Sequence, residues 1–158
     1  MNDRNERLKK EGFKDLTSMY MAGKENIPYW IIVMDEYADM ITGLKGGSKS
    51  KKEFESHIQR IAQKGRSAGI HLVISTQSPR KEIVSGLIRQ CLPGKISFRV
   101  TDDTESLLIL DKSGAEQLRG KGDLLCNFQH GRLLRAQSAF ITDEEWRRVV
   151  LTSPMASL

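Results

Sequence analysis

The residues best placed to do chemistry in this 158-residue chain stand at the end of one apolar run: Tyr29-Trp30-Ile31-Ile32-Val33-Met34 leads directly into Asp35-Glu36. An unbroken apolar run suits a strand covered on both faces of a parallel sheet, and in such sheets function collects beyond the C-terminal ends of the strands. Two adjacent carboxylates held there meet the needs of nucleoside triphosphate hydrolysis. Asp35 would hold Mg²⁺ directly or through water, and Glu36 would orient and polarise the attacking water. The same two acids would serve equally well as N-capping residues for a helix over 37–41.

The elements that follow bear on that choice. A Gly- and Lys-rich loop is expected from Gly43 to Lys52, and then Phe54, Ile58, Ile61, Ala62 and Ala68 recur at helical spacing until Gly69. Ile70 to Ser75 reads as the next strand, completing a strand–helix–strand crossover whose strands run parallel. Thr76-Gln77 then emerges at the same sheet edge as Asp35-Glu36, where a polar group can sense a terminal phosphate. Taken alone, Thr-Gln before Ser-Pro is a turn.

Around this unit the pattern predicts a charged helix over 2–11, a short helix capped by Asp15, and a break at Asn26-Ile27-Pro28. Downstream come a helix from Ile83 to Cys91, a strand from Lys95 to Val100 and a short helix around Glu105 to Leu110. A hairpin of Asp123–Phe128 and Arg132–Phe140, turned at Gln129-His130-Gly131, precedes a last helix from Asp143. The expected organisation is a helical lead-in over 1–28, a core over 29–150 and a flexible tail over 151–158.

Composition sets bounds. With 39% hydrophobic and 28% charged residues the chain can bury one ordinary core. Its 25 Lys+Arg against 20 Asp+Glu, net +5, permit contact with polyanions without demanding it. No apolar stretch approaches the roughly 20 residues of a membrane span. Cys91 and Cys126 lack CxxC spacing and His57, His71 and His130 are far apart, which favours buried thiols in a reducing cytoplasm over a metal site.

Four ordered segments resemble the motor domain of FtsK/SpoIIIE DNA translocases: YWIIVMDEYAD (Tyr29 to Asp39), IQRIAQKGRSAGIHLVISTQ (Ile58 to Gln77), VSGLIRQCLPGKISF (Val84 to Phe98) and ILDKSGAEQLRGKGDLL (Ile109 to Leu125). The first resembles the family's Walker B block. The resemblance implies an α/β, RecA-like P-loop NTPase sheet, here partial and ending in an antiparallel hairpin. It also implies ATP and Mg²⁺ as cofactors, and ATP-driven movement of double-stranded DNA through a homohexameric ring in chromosome partition. Asp35 would bind magnesium, Thr76 would belong to the nucleotide site, and Glu36 and Gln77 would be catalytic. Arg66 would reach the γ-phosphate of a neighbouring subunit. Arg89 would touch the DNA backbone, with Arg80 and Lys81 nearby.

The sequence departs from the family at several places. Ser78, Asp103 and Leu107 stand where the family has basic channel residues, and no GxxxxGK[ST] Walker A loop precedes Asp35. Gly43 to Ser50 comes nearest to that loop but has Ser48 where the second glycine belongs. The first strands and the Walker A loop are therefore expected to be absent, and this chain alone is expected not to hydrolyse ATP. A membrane anchor of the parent, if it has one, would lie in another domain. Two other readings stay open: an FtsK-like ATPase of a conjugation or secretion system, and a non-catalytic fragment that assembles with an intact motor.

Overall fold

The structure, a computed structural model, describes residues 1–24, 27–128 and 131–152. The chain forms two compact units, Met1–Gly94 and Lys95–Leu158. Among the described residues no helix is long and apolar enough to cross a membrane.

The first unit is built on two parallel strands, β1 (Trp30–Met34) and β2 (Ile70–Ile74), paired in register from Trp30↔Ile70 to Met34↔Ile74. Helices α3 (Tyr37–Thr42), α4 (Gly47–Lys64) and α5 (Gly86–Cys91) all pack on one face. There Tyr37, Ile41, Ile58 and Ile88 form a core against Met34, Leu72 and Ile74. The other face differs from the expectation of cover on both sides, since Ile31 and Val33 are 69% and 64% exposed and Val73 is 47% exposed. The reason is the one-sided placement of the three helices: alternate strand residues point away from them.

The lead-in belongs to this unit. Helices α1 (Asn2–Lys10) and α2 (Leu16–Met21) enclose a small core of Leu8, Leu16, Met19 and Ile27. Asp15 caps α2 as expected, its carboxylate accepting from the Ser18 N–H at 2.7 Å. Gly69 lies at φ 68°, and a Cβ there would meet Leu16 Cδ2 at 2.0 Å, so only glycine lets α2 approach the start of β2. Buried Arg4 clamps the strand entrances: its Nε donates to Ala68 O at 2.9 Å, its Nη2 to Pro28 O at 2.5 Å, and its guanidinium lies 4.8 Å from the Trp30 ring centroid.

One expectation is corrected. The Gly- and Lys-rich segment is not a loop as far as Lys52, because α4 already begins at Gly47 and carries Lys49, Lys51 and Lys52 in its first turns. Lysine is a good helix former, and Lys51 anchors the turn by donating to the Glu82 carbonyl and approaching Glu55 Oε1 at 3.8 Å. Gly46, at φ 112°, makes the sharp entry; a Cβ there would strike Ser50 Oγ at 2.2 Å.

The strands β3 (Gly94–Ser97), β4 (Asp123–Phe128) and β5 (Leu133–Gln137), all in the second unit except for Gly94, form one sheet in the order β3-β4-β5, with β4 and β5 antiparallel. The hairpin is thus present, shorter at its second strand than expected, and Gln129 and His130 of its anticipated turn lie outside the described residues. Helix α6 (Asp103–Leu110) starts two residues earlier than expected because Asp102 caps it through the Glu105 N–H. Asp123 fastens the sheet, accepting from Arg135 Nε at 2.9 Å, Arg135 Nη2 at 2.6 Å and the Arg119 N–H at 2.9 Å. The Arg135 guanidinium holds this carboxyl far below the usual range, with the Arg119 N–H adding to the effect. Helix α7 (Asp143–Thr152) takes in Leu151 and Thr152 of the anticipated tail, and residues 153–158 lie outside the described residues.

The Arg4 clamp gives a stability prediction. Losing two charge-assisted hydrogen bonds in Arg4→Ala is expected to lower stability by about 2–3 kcal/mol. Urea unfolding followed by Trp30 fluorescence in a Trp146→Phe background measures it, and an unchanged midpoint would show that the clamp is idle.

Candidate functional site

The register of the strand pair decides the geometry. Extending Met34↔Ile74 by two residues sets Asp35 opposite Ser75 and Glu36 opposite Thr76, so both polar pairs leave the sheet at one edge. Tyr37 N–H donates to Ser75 O and Ser75 N–H to Met34 O, each at 2.9 Å, which carries the pairing past the formal strand ends.

Glu36 is the most tightly held side chain at this edge. Its Oε1 accepts from Thr76 Oγ1 at 2.5 Å and from the Ala38 N–H at 3.0 Å, while Oε2 accepts from the Gln77 N–H at 2.8 Å. The hydroxyl of Thr76, and after it the Gln77 and Ala38 amides, hold the Glu36 carboxyl below its ordinary value. Glu36 is at once the N-cap of α3 and the partner of the segment after β2, so capping the helix does not remove it from the polar edge.

Asp35 is exposed beside it, and Ser75 Oγ donates to the Asp35 carbonyl while lying 3.4 Å from Oδ1. The sequence reading did not single out Ser75. Its signal was available in the strand ends, because aligning them puts Ser75 against Asp35. The Thr76 hydroxyl donates to Glu36 and accepts from the Ser78 N–H at 3.1 Å, so it is committed within the protein. The side chain of Gln77 is exposed at the same edge.

The remaining candidates lie elsewhere. Arg80 and Lys81 are exposed on the loop leaving this edge, where Arg80 O accepts from the Ile83 and Val84 N–H groups. Arg89 is half-buried on α5, and its Nη2 lies 3.8 Å from where a Cβ on Gly86 would stand. Arg66 is exposed before β2, at the opposite end of the strand from Thr76-Gln77. Five strand residues span about 17 Å, so Arg66 does not meet Glu36 within one chain. Asp103 sits in the first turn of α6, where the helix dipole favours an acid.

Among the described residues no group of three or more His, Cys, Asp or Glu converges as a metal cage. The donor set at the edge, an exposed carboxylate with a hydroxyl beside it, fits magnesium, which keeps most of its water and binds through one or two carboxylates together with substrate phosphates.

A sequence model of the FtsK/SpoIIIE family matches residues 1–81, from α1 through the polar edge to Lys81. The chain belongs to the FtsK/SpoIIIE family. It is 40% identical over 141 residues to the DNA translocase FtsK of Clostridium acetobutylicum, a match covering 89% of the chain and 18% of that relative. It is 39% identical over 139 residues to the DNA translocase SftA of Bacillus subtilis (87% of the chain, 14% of the relative) and 43% identical over 129 residues to an FtsK of Helicobacter pylori (81% and 14%). The chain thus spans less than a fifth of the length of these curated relatives.

Solved structures give the same fold. The conjugation coupling protein TcpA of pCW3, in its monomer form with ATPγS, superposes with a TM-score of 0.76 at 23% identity, covering 96% of this chain and 45% of that one. The cytoplasmic domain of the type VII secretion ATPase EccC of Thermomonospora curvata gives 0.73 at 23% identity, covering 98% and 19%. This FtsK/SpoIIIE chain therefore shares its α/β fold with these two proteins.

The hydrogen bonds to Glu36 give a pH prediction. Its folded pKa is lowered, so the stabilisation is present above the unfolded value and is lost as pH falls through the folded one. Carboxyl ¹³C NMR is expected to place the Glu36 midpoint below the usual 4.5, and Thr76→Val should move it upward. A midpoint indifferent to Thr76→Val would remove the hydroxyl from the account.

Proposed function

We propose that this chain supplies the water-activating half of an ATP-driven motor that moves double-stranded DNA. The observation that carries the reading is the Glu36 carboxylate fixed between two strand ends by Thr76, Gln77 and Ala38, with Asp35 exposed beside it. The second acceptor site of Oε2 takes a hydrogen bond from water and turns that water toward a phosphorus atom. A carboxylate kept strongly ionised is a weak base, which suits phosphoryl transfer, where positioning and charge stabilisation matter more than early proton removal.

Asp35 would hold magnesium, whose contribution when bound is to draw charge from the phosphate oxygens. Ser75 orients the Asp35 backbone and Thr76 positions Glu36, so Thr76 acts through Glu36 and not by touching nucleotide. Gln77 presents its amide where a terminal phosphate is sensed. Arg66, at the far end of β2, serves the nucleotide of an adjacent subunit, which makes the working form a ring, a hexamer as the family resemblance implies. Arg80, Lys81 and Arg89 contact DNA phosphates. The 158 residues contain no GxxxxGK[ST] string, so the amides and lysine that cradle the β- and γ-phosphates come from outside them.

Identities of 39–43% to DNA translocases, against 23% to the conjugation and secretion proteins, favour DNA as cargo. The test replaces the matching segment of the C. acetobutylicum relative with residues 29–150 and measures DNA-stimulated ATP turnover. Glu36→Gln is expected to lower kcat by about 100-fold or more with little change in KM, and Thr76→Val by about 10-fold. A chimera that turns over equally well with Glu36→Gln sinks the assignment. The 158-residue chain by itself is expected to show no magnesium-dependent turnover.

A further inference from the structure

Helix α4 carries two faces of opposite character. Ile58 is fully buried, and at about 100° per residue Lys49 lies directly opposite it, with Lys52, Arg60 and Lys64 within about 60° on either side. All four cations are exposed, and among the described residues no hydrogen bond or ion pair ties their head groups down. The acid Glu55 is turned inward and approached by Lys51, which leaves Glu53 as the one exposed acid on α4.

We propose that this outward face of α4 is a docking surface for the phosphate backbone of duplex DNA, separate from the Arg80–Lys81 loop. From Lys49 to Lys64 the stripe runs about 22 Å along a rigid rod, and a duplex carries one charge per about 1.7 Å of its axis. The chemistry of the face selects this occupant. No aromatic side chain lies on it for single-stranded bases to stack on, and no apolar residue separates the cations to enter a lipid surface. Between them stand Ser56 and Gln63, which add hydrogen-bonding capacity toward phosphate oxygens, and Glu53, about 40° from the centre of the face, so four cations stand against one acid there. The surface binds without reading sequence. It requires neither ATP nor Glu36, so its success or failure is distinguishable from that of the hydrolytic reading.

The test measures fluorescence anisotropy of a labelled 24-base-pair random-sequence duplex with the purified chain between 25 and 200 mM salt. Four phosphate contacts predict a slope of log affinity on log salt of about −3.5 or steeper. The triple variant Lys49→Gln/Lys52→Gln/Arg60→Gln should flatten it by about 0.9 per residue removed and weaken binding at least about 10-fold at 100 mM salt. Circular dichroism checks its fold, and Lys64→Gln alone should flatten the slope by about 0.9. The proposal is overturned if the intact chain does not bind the duplex at 25 mM salt, or if the triple variant binds as the intact chain does while Arg80→Gln/Lys81→Gln loses affinity. Preferential binding to phosphatidylserine vesicles or to single-stranded oligonucleotide overturns it as well.

Discussion

Two parallel strands locked at both ends carry the rest of the first unit. At the entrances Arg4 gathers the Pro28 and Ala68 carbonyls, each two residues before its strand. At the exits Glu36 gathers donors from Thr76 and Gln77 on the neighbouring chain segment. A two-stranded parallel pair is a weak element by itself, and charged side chains at its ends fix the register that its few ladder bonds leave soft. One residue of slip in β2 would turn Leu72 and Ile74 out of the core and separate Glu36 from Thr76.

The same constraint shapes the chemistry. A glutamate that caps a helix and takes three hydrogen bonds loses rotamer freedom in advance of any reaction, so in the proposed motor no ordering cost would fall at the moment of water activation. Those bonds also lower its basicity. In the proposed role the carboxylate would aim a water molecule and meet developing positive charge, which is the demand phosphoryl transfer makes.

The exposed Ile31, Val33 and Val73 describe a sheet with one face dressed by helices and one face bare. Parallel sheets are stable when both faces are covered, and a chain matching less than a fifth of its relatives' length leaves ample sequence in those relatives to provide that cover. Identity near 40% places the chain in the family, whereas identity at or below 23% to the conjugation and secretion structures speaks for fold alone.

Much of the site was legible in the residues because its logic is local: an apolar run ending in two acids, and a second run ending in Thr-Gln, give strand type, edge and polarity from spacing. The helical start of α4 was hidden, since glycines and lysines read as a loop until Gly46 turns the chain and Lys51 finds the Glu82 carbonyl. Arg4 gave no sign in a charged segment that it would be buried. The sequence by itself determined which side chains lie at each strand end and which helical residues face a core, because periodicity is a property of the backbone. Only the tertiary structure decided that Thr76 holds Glu36, that Ser75 meets Asp35, that Arg66 lies at the far end and that one sheet face stays bare, because these follow from strand register and from helix packing between distant segments.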